Sequence, residues 1–327
     1  MELTIAASAL RFSALVTRLP GGVAQGIIWG IMALGVYITF RLLDVADLSV
    51  DGTFTTGGAV TVALVFGGMS PWLALLIAVV AGILAGFITG VLHTKLGIPA
   101  ILAGILTQFG LYSINLHIMG KANIAIQRGT KLMLTLGNVP KSILVGGVFA
   151  VVLIAALYWY FGTEQGSAIR ATGSNPAMSR AQGINIDAMK VLGLALSNGV
   201  VALSGGLMAQ FQGYADINMG RGAIVIGLAA VIIGEVLCDA IFRKGSSFWV
   251  RLGFVLLGGV VYYIVMSIIL WLKLNTDDLK LFTAILVAIF LAVPYLQGQR
   301  ISSFRNAGRQ SAALRRAAAA QTGKEAE

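Results

Sequence analysis

Charge is the scarcest resource of this sequence. Lys and Arg number 23 and Asp and Glu 13, together 11% of 327 residues, where a soluble domain carries about 25%. A chain with half the usual charge cannot cover a wetted globular surface. Cysteine occurs once, at Cys238, and histidine twice. That excludes an internal disulfide and a four-ligand Cys/His zinc site. His-Glu-x-x-His, Gly-x-Ser-x-Gly and Gly-x-x-x-x-Gly-Lys-Ser/Thr are all missing. The sequence therefore offers no catalytic residue, no metal site and no cofactor site, and any ATP used must be bound by a partner. Proline is also sparse, with 6 residues against 41 glycines, so low-complexity disorder does not explain the composition.

Apolar residues fill the space: 57% of the chain, with a mean hydropathy of +0.88. A spanning helix needs about 20 mostly apolar residues. Runs of that kind lie at 21–40, 71–92, 98–119, 142–161, 189–213, 222–242, 248–272 and 279–296. The expected fold is all-α and polytopic, with eight or nine transmembrane helices. One segment, 54–69, is short and rich in Thr and Gly, and either crosses or re-enters. Re-entry from the outer side is the favoured expectation, because Thr53, Thr55, Thr56, Gly57 and Gly58 suit irregular backbone lining a cavity. It places Met1 in the cytoplasm and Asp47 within reach of the outside. The expected division is an N-terminal interfacial segment (1–20), a transmembrane domain (21–296) with a polar loop at 162–188, and a basic tail (297–327). Met1-Glu2, with Arg11 interrupting the first apolar stretch, does not read as a secretory signal.

The net charge of +10 is scattered between apolar runs rather than gathered on one face, which points to positive-inside loops and a lipid bilayer rather than nucleic acid. Arg300, Arg305, Arg309, Arg315, Arg316 and Lys324 put the tail in the cytoplasm. Counting back, 162–188 is also cytoplasmic, and 120–141 is external despite four basic residues. Gly82, Gly86 and Gly90 form overlapping small-x-x-x-small patterns, as do Gly26 and Gly30; these read as helix-packing surfaces.

Asp44, Asp47 and Asp51 cluster within eight residues. Carboxylates at membrane depth cost a few kcal/mol each and need water, partners or a task. The cluster is either a solvated loop with helix caps or part of a substrate path. A weak repeat links Ala46-Asp47-Leu48-Ser49-Val50 with Ala215-Asp216-Ile217-Asn218-Met219, adding Ser49, Asp216 and Asn218 to the candidate path. Glu235, a turn deeper than Asp239, is the residue a proton-coupled carrier would use, and with the Asp44–Asp51 run it keeps that alternative open. In 163–184, Asn175-Pro176 reads as a helix start and Gly183 as a helix end. A short capped helix lying between two spans suits docking of a cytoplasmic partner.

That segment, through Gly166, Ala168, Arg170, Ala171, Asn175, Ser179, Gly183 and Ile184, resembles the ATPase-coupling loop of branched-chain amino-acid-type ABC permeases, with Ser179 in place of an alanine. The run from Leu43 to Phe54 and the stretch 227–235 are similar to the tryptophan/tyrosine-type subgroup, and more distantly to ribose-type permeases. The resemblance implies a permease of a binding-protein-dependent importer in a bacterial cytoplasmic membrane, for amino acids (aromatic ones by the subgroup's label) or a related small polar solute. It also implies two cytoplasmic ATPase subunits, an extracytoplasmic solute-binding protein and a second permease copy. By carry-over, Gly166, Arg170, Ala171, Asn175 and Gly183 contact the ATPase, and Asp44, Asp47, Ser49 and Asp51 line the translocation path.

Overall fold

The computed structural model describes residues 12–271 except 128, 131 and 243–246, together with positions 281, 284, 285, 288 and 292, which are helical. Residues 280–327 form a second unit, so the expected span 279–296 and the basic tail lie almost wholly outside the described residues. So do residues 1–11.

Unit one is a helical bundle. Helix α1 (Phe12–Tyr37) runs into a π-helical turn (Ile38–Leu42), followed by α2 (Val50–Phe66), α3 (Pro71–Thr94), α4 (Ala100–Met119) and α5 (Val139–Gly162). Two short helices, α6 (Glu164–Ser174) and α7 (Pro176–Ala181), lead to α8 (Ile186–Gln212), α9 (Ala223–Phe242) and α10 (Phe248–Trp271). Strands β1 (Asn123–Ala125) and β2 (Tyr214–Asp216) pair antiparallel, Ile124 opposite Ala215. Seven of the described helices are long and apolar enough to cross a membrane, α2 being too short. They fall on the seven runs expected between 21 and 272.

Local chemistry sets the helix ends. Asn138, Asn175 and Asn185 each accept a backbone N–H three residues on, capping α5, α7 and α8. Gly120 and Gly213 close α4 and α8 with positive φ, which only glycine adopts without strain. The glycine patterns are packing surfaces, as expected. A Cβ at Gly82, Gly86 or Gly90 would run into Ala202 and Asn198, Leu194 and Ala195, or Val191, so α3 lies antiparallel against α8. Gly26 and Gly30 meet Val260 and Leu256 of α10 in the same way. With no hydrophobic drive between helices in lipid, such backbone approach supplies the packing energy.

Segment 43–66 departs from the favoured expectation. Leu42 packs against Gly173 of α6, Leu43 against Gly193, Asp47 against Asn198, Phe54 against Gly205 and Gly58 against Ala209. The contacts climb α8 in one direction, from the α6/α7 end to the β-ribbon end. The chain thus crosses completely: 43–49 is non-helical and rises to mid-bundle, and α2 finishes the crossing. It does not re-enter from the far side, and α1 starts at the β-ribbon end. Helix α2 succeeds despite its length, because 17 residues span about 25 Å and the unwound residues supply the rest. Thirteen of its seventeen residues are buried, so it faces protein rather than lipid. Thr53, Thr55 and Thr56 turn their hydroxyls back to carbonyls four residues earlier. The composition that suggested irregular backbone is that of a helix packed on all sides.

Candidate translocation and coupling sites

The non-helical stretch is held by its own polar residues. Asp47, 2% exposed, accepts the Ser49 N–H at 2.9 Å and the Ser49 hydroxyl at 2.6 Å on Oδ1. Its Oδ2 accepts the Asn198 amide at 2.7 Å. Asn198 stands twelve residues from Ile186 and fourteen from Gln212, the midpoint of α8. Val45 N–H reaches the Thr39 carbonyl at 2.9 Å, beyond the π-helical turn. Buried irregular backbone is tolerated in a membrane only with such partners. Asp47 and Ser49 are therefore spent inside the protein.

Asp216 repeats the turn at the opposite end. Its Oδ1 accepts the Asn218 N–H at 2.8 Å, as Asp47 accepts that of Ser49, and its Oδ2 accepts from Asn123 at 3.2 Å. Helices α1 and α8 run antiparallel, so the two Asp turns enter from opposite ends and their following helices meet. Asp51, in the first turn of α2, accepts the N–H groups of Gly222 and Ile224 at 2.9 Å each. Thr55 accepts that of Gly220 at 3.1 Å. Two positive helix ends are thus neutralised by one carboxylate. Beside this junction lies a cavity of about 370 Å³ bounded by Asp51, Phe109, Tyr112, Asn115, Asn218 and Arg221. Of the candidate path residues, Asp51 and Asn218 come together here.

Asp44 lies elsewhere. It takes a φ of +55° and lines a cavity of about 550 Å³ at the α6/α7 end with Arg41, Arg170, Phe248 and Arg251. Glu235 pairs with Arg41 at 2.6 Å, and the side chains are 19% and 54% exposed. Arg243, four residues after Asp239, lies outside the described residues.

The 163–184 segment forms two short helices, the second opening at Asn175-Pro176 as expected. Thr163 caps α6, accepting from Gly166 N–H at 3.4 Å; Asn175 caps α7, accepting from Met178 N–H at 3.0 Å; and Gly183 follows with positive φ. Gly166 packs on the Tyr160 carbonyl, folding α6 back against α5. Arg170 turns inward, its guanidinium 5.7 Å from the Phe248 ring centroid, and Ala171 is half-buried. The side chains presented outward are Pro176, Ala177, Met178 (61% exposed) and Arg180. Sequence reasoning passed over Met178, Arg180, Asn198, Asn115 and Arg221. Asn198 carried a legible signal, being an amide inside an apolar span.

The family model for the permease component of branched-chain amino acid transport systems matches residues 19–294. A tyrosine transport system permease protein of Clostridioides difficile is 40% identical over 268 residues, 82% of this chain and 88% of that protein. A nucleoside ABC transporter permease protein of Lactococcus lactis is 27% identical, covering 54% of this chain and 55% of its own. An autoinducer 2 import system permease protein of Yersinia pseudotuberculosis is 31% identical over 53% of this chain and 48% of its own.

Proposed function

Since the chain belongs to the family of branched-chain amino-acid-type ABC permeases, we propose that it passes an aromatic amino acid of the tyrosine kind through a bacterial cytoplasmic membrane. It is a multi-pass membrane protein and a permease subunit of an ABC importer, and such a subunit works with a separate ATPase and a solute-binding protein. The substrate class rests on the 40%-identical tyrosine permease protein. In this reading two copies of the chain enclose the path, α6 and α7 face the cytoplasm and dock on the ATPase, and the β-ribbon end faces outward. Asp51 and Asn218 border the path, while Asp47 and Ser49 hold the unwound segment beside it.

The observation that carries the coupling role is the continuity of one surface with one core contact. Helix α7 is capped at both ends and shows Met178 and Arg180 to solvent. Directly behind it, Gly173 of α6 presses on the Leu42 carbonyl, where the unwound segment begins. A push on α6 and α7 therefore reaches the broken crossing without an intermediary. Glu235 supports the same reading, because it is engaged by Arg41, whose side chain is 54% exposed at the rim. A proton relay needs a chain of such groups.

The test is tyrosine uptake into proteoliposomes carrying permease, ATPase and binding protein. Uptake is expected to require ATP and to survive collapse of the proton gradient. Met178→Asp is expected to abolish binding-protein-stimulated ATP hydrolysis while leaving insertion intact, since a carboxylate in a docking groove is left desolvated and unpaired. Uncoupler-sensitive uptake without ATP would refute the importer reading. Wild-type stimulation in Met178→Asp would refute the docking assignment.

A further inference from the structure

Resting on that importer reading, we propose that the cavity at the α2–α9 junction is a recognition subsite within the permease for a zwitterionic amino acid with a planar side chain. Three chemistries converge there. Arg221 supplies a guanidinium that is solvent-exposed and has no ion pair or side-chain hydrogen bond among the described residues. A free guanidinium fork takes a carboxylate in two parallel bonds. Asp51 supplies the opposite charge. Its two oxygens already accept Gly222 and Ile224 N–H groups, and each keeps acceptor capacity for an ammonium group.

Asn115 supplies the observation that points to a ligand. It is fully buried on the wall of this cavity, and its Oδ1 has no hydrogen-bond partner. Its Nδ2 reaches only the Gly52 carbonyl, at 3.5 Å. Buried amide oxygens are almost always bonded, and an orphan on a cavity wall is an acceptor waiting for a donor. An ammonium group beside Asp51 is the donor the cavity would offer it once the amide turns toward the opening. Tyr112 and Phe109, one and nearly two turns of α4 before Asn115 and both exposed, offer ring faces for a planar side chain. At about 370 Å³ the cavity falls in the range of small-ligand sites, at about 300–1,000 Å³. The subsite would let the permease test what the binding protein hands it, so specificity is read twice.

The experiment uses the permease–ATPase complex in nanodiscs without binding protein, measuring saturable binding of tritiated L-tyrosine. Tyramine, which lacks the carboxylate, and N-acetyl-L-tyrosine, which lacks the ammonium charge, are expected to compete about tenfold more weakly than L-tyrosine or L-phenylalanine. Arg221→Gln is expected to weaken binding about tenfold and to flatten the difference between tyramine and L-tyrosine. Asn115→Leu removes an unpartnered oxygen and one long bond to the Gly52 carbonyl, so the fold is expected to hold while binding falls and the N-acetyl discrimination shrinks. Equal competition by all four compounds, or no saturable binding by a complex that imports tyrosine with its binding protein, would overturn the subsite and leave the importer reading standing. A complete system with no ATP-driven tyrosine uptake would overturn the importer reading instead.

Discussion

Replacing Asn198 by Leu tests whether a buried carboxylate anchors the broken crossing. The substitution nearly conserves volume, so the main loss is the 2.7 Å bond to Asp47 Oδ2, which has no other donor among the described residues. Oδ1 keeps the Ser49 N–H and hydroxyl. Side-chain hydrogen bonds between neutral groups in membrane bundles average about 0.6 kcal/mol. Bonds to charged groups are worth about 1.5–3 kcal/mol, and an Asp at membrane depth costs about 2.5–3.5 kcal/mol when unsupported. Asn198→Leu is therefore expected to cost about 2–3 kcal/mol. Asp47→Ala alone leaves the Asn198 Nδ2 with only the Leu194 carbonyl, at 3.0 Å, while Oδ1 keeps the Ser49 hydroxyl at 3.1 Å. The pair made together should cost less than the sum of the two, by at least about 1 kcal/mol. Reversible unfolding of the purified permease in mixed micelles, run as a double-mutant cycle, reads this directly. A coupling energy indistinguishable from zero would show that water reaches Asp47 and that 43–49 is a solvated loop, refuting the mid-bundle anchor.

Three further outcomes follow from the geometry. Glu235→Gln breaks a pair whose arginine is 54% exposed; it is expected to change stability by less than about 1 kcal/mol and to leave ATP-driven uptake intact, and loss of uptake with normal folding would revive the proton-carrier reading. Gly86→Leu places a side chain into the Leu194 carbonyl and is expected to prevent recovery of folded protein by size-exclusion chromatography, whereas Gly147→Ala, with nothing within 4 Å, is expected to be neutral or to stabilise by up to about 1 kcal/mol. In a Cys238→Ser background, Asp44→Cys is expected to react with an impermeant thiol reagent only after permeabilisation and Asn218→Cys in intact cells, since the two lie at opposite ends of the bundle; the reverse pattern would invert the topology.

Much of the architecture was legible because hydrocarbon imposes one rule on every segment: about 20 apolar residues, helical throughout. The seven long spans, the glycine packing faces and the Asn caps obey local rules that need no knowledge of neighbours. Segment 43–66 resisted because its outcome depends on a partner far away in sequence. The Asp47 carboxylate reads as a loop residue until Asn198 stands beside it, and the threonines of α2 read as irregular backbone until α8 covers them. The candidate path was separated for the same reason. Asp44, Asp47 and Asp51 are neighbours in sequence, yet they face an inner cavity, a buried amide and the α9 helix start respectively. Arg170 illustrates the converse. Its place in a docking loop suggested an outward charge, but Phe248 lies close enough to hold it inward.

Strength and weakness are unevenly distributed along this crossing, and that distribution bears on how a thrust at α6 would travel. Helix α2 is seamed to α8 by close backbone contacts of Gly57 with Ala202 and of Gly205 with Phe54, and by Gly206 against Thr61. Residues 43–49 lack a backbone seam with α8 itself; close backbone contacts of Leu43 with Gly173 of α6 and of Leu48 with Gly104 of α4, the contact of Leu43 with Gly193, and the Asp47, Ser49 and Asn198 bonds hold them. A continuous helix would carry displacement at Leu42 along its whole length to the β-ribbon end, because its internal hydrogen bonds resist shear. An unwound stretch absorbs displacement in a few backbone torsions, as hinges at element ends do. The inner half of the crossing can then shift with α6 while α2, Asp51 and the start of α9 keep their junction. The break in the helix falls where a transporter needs two ends that move independently about a fixed centre.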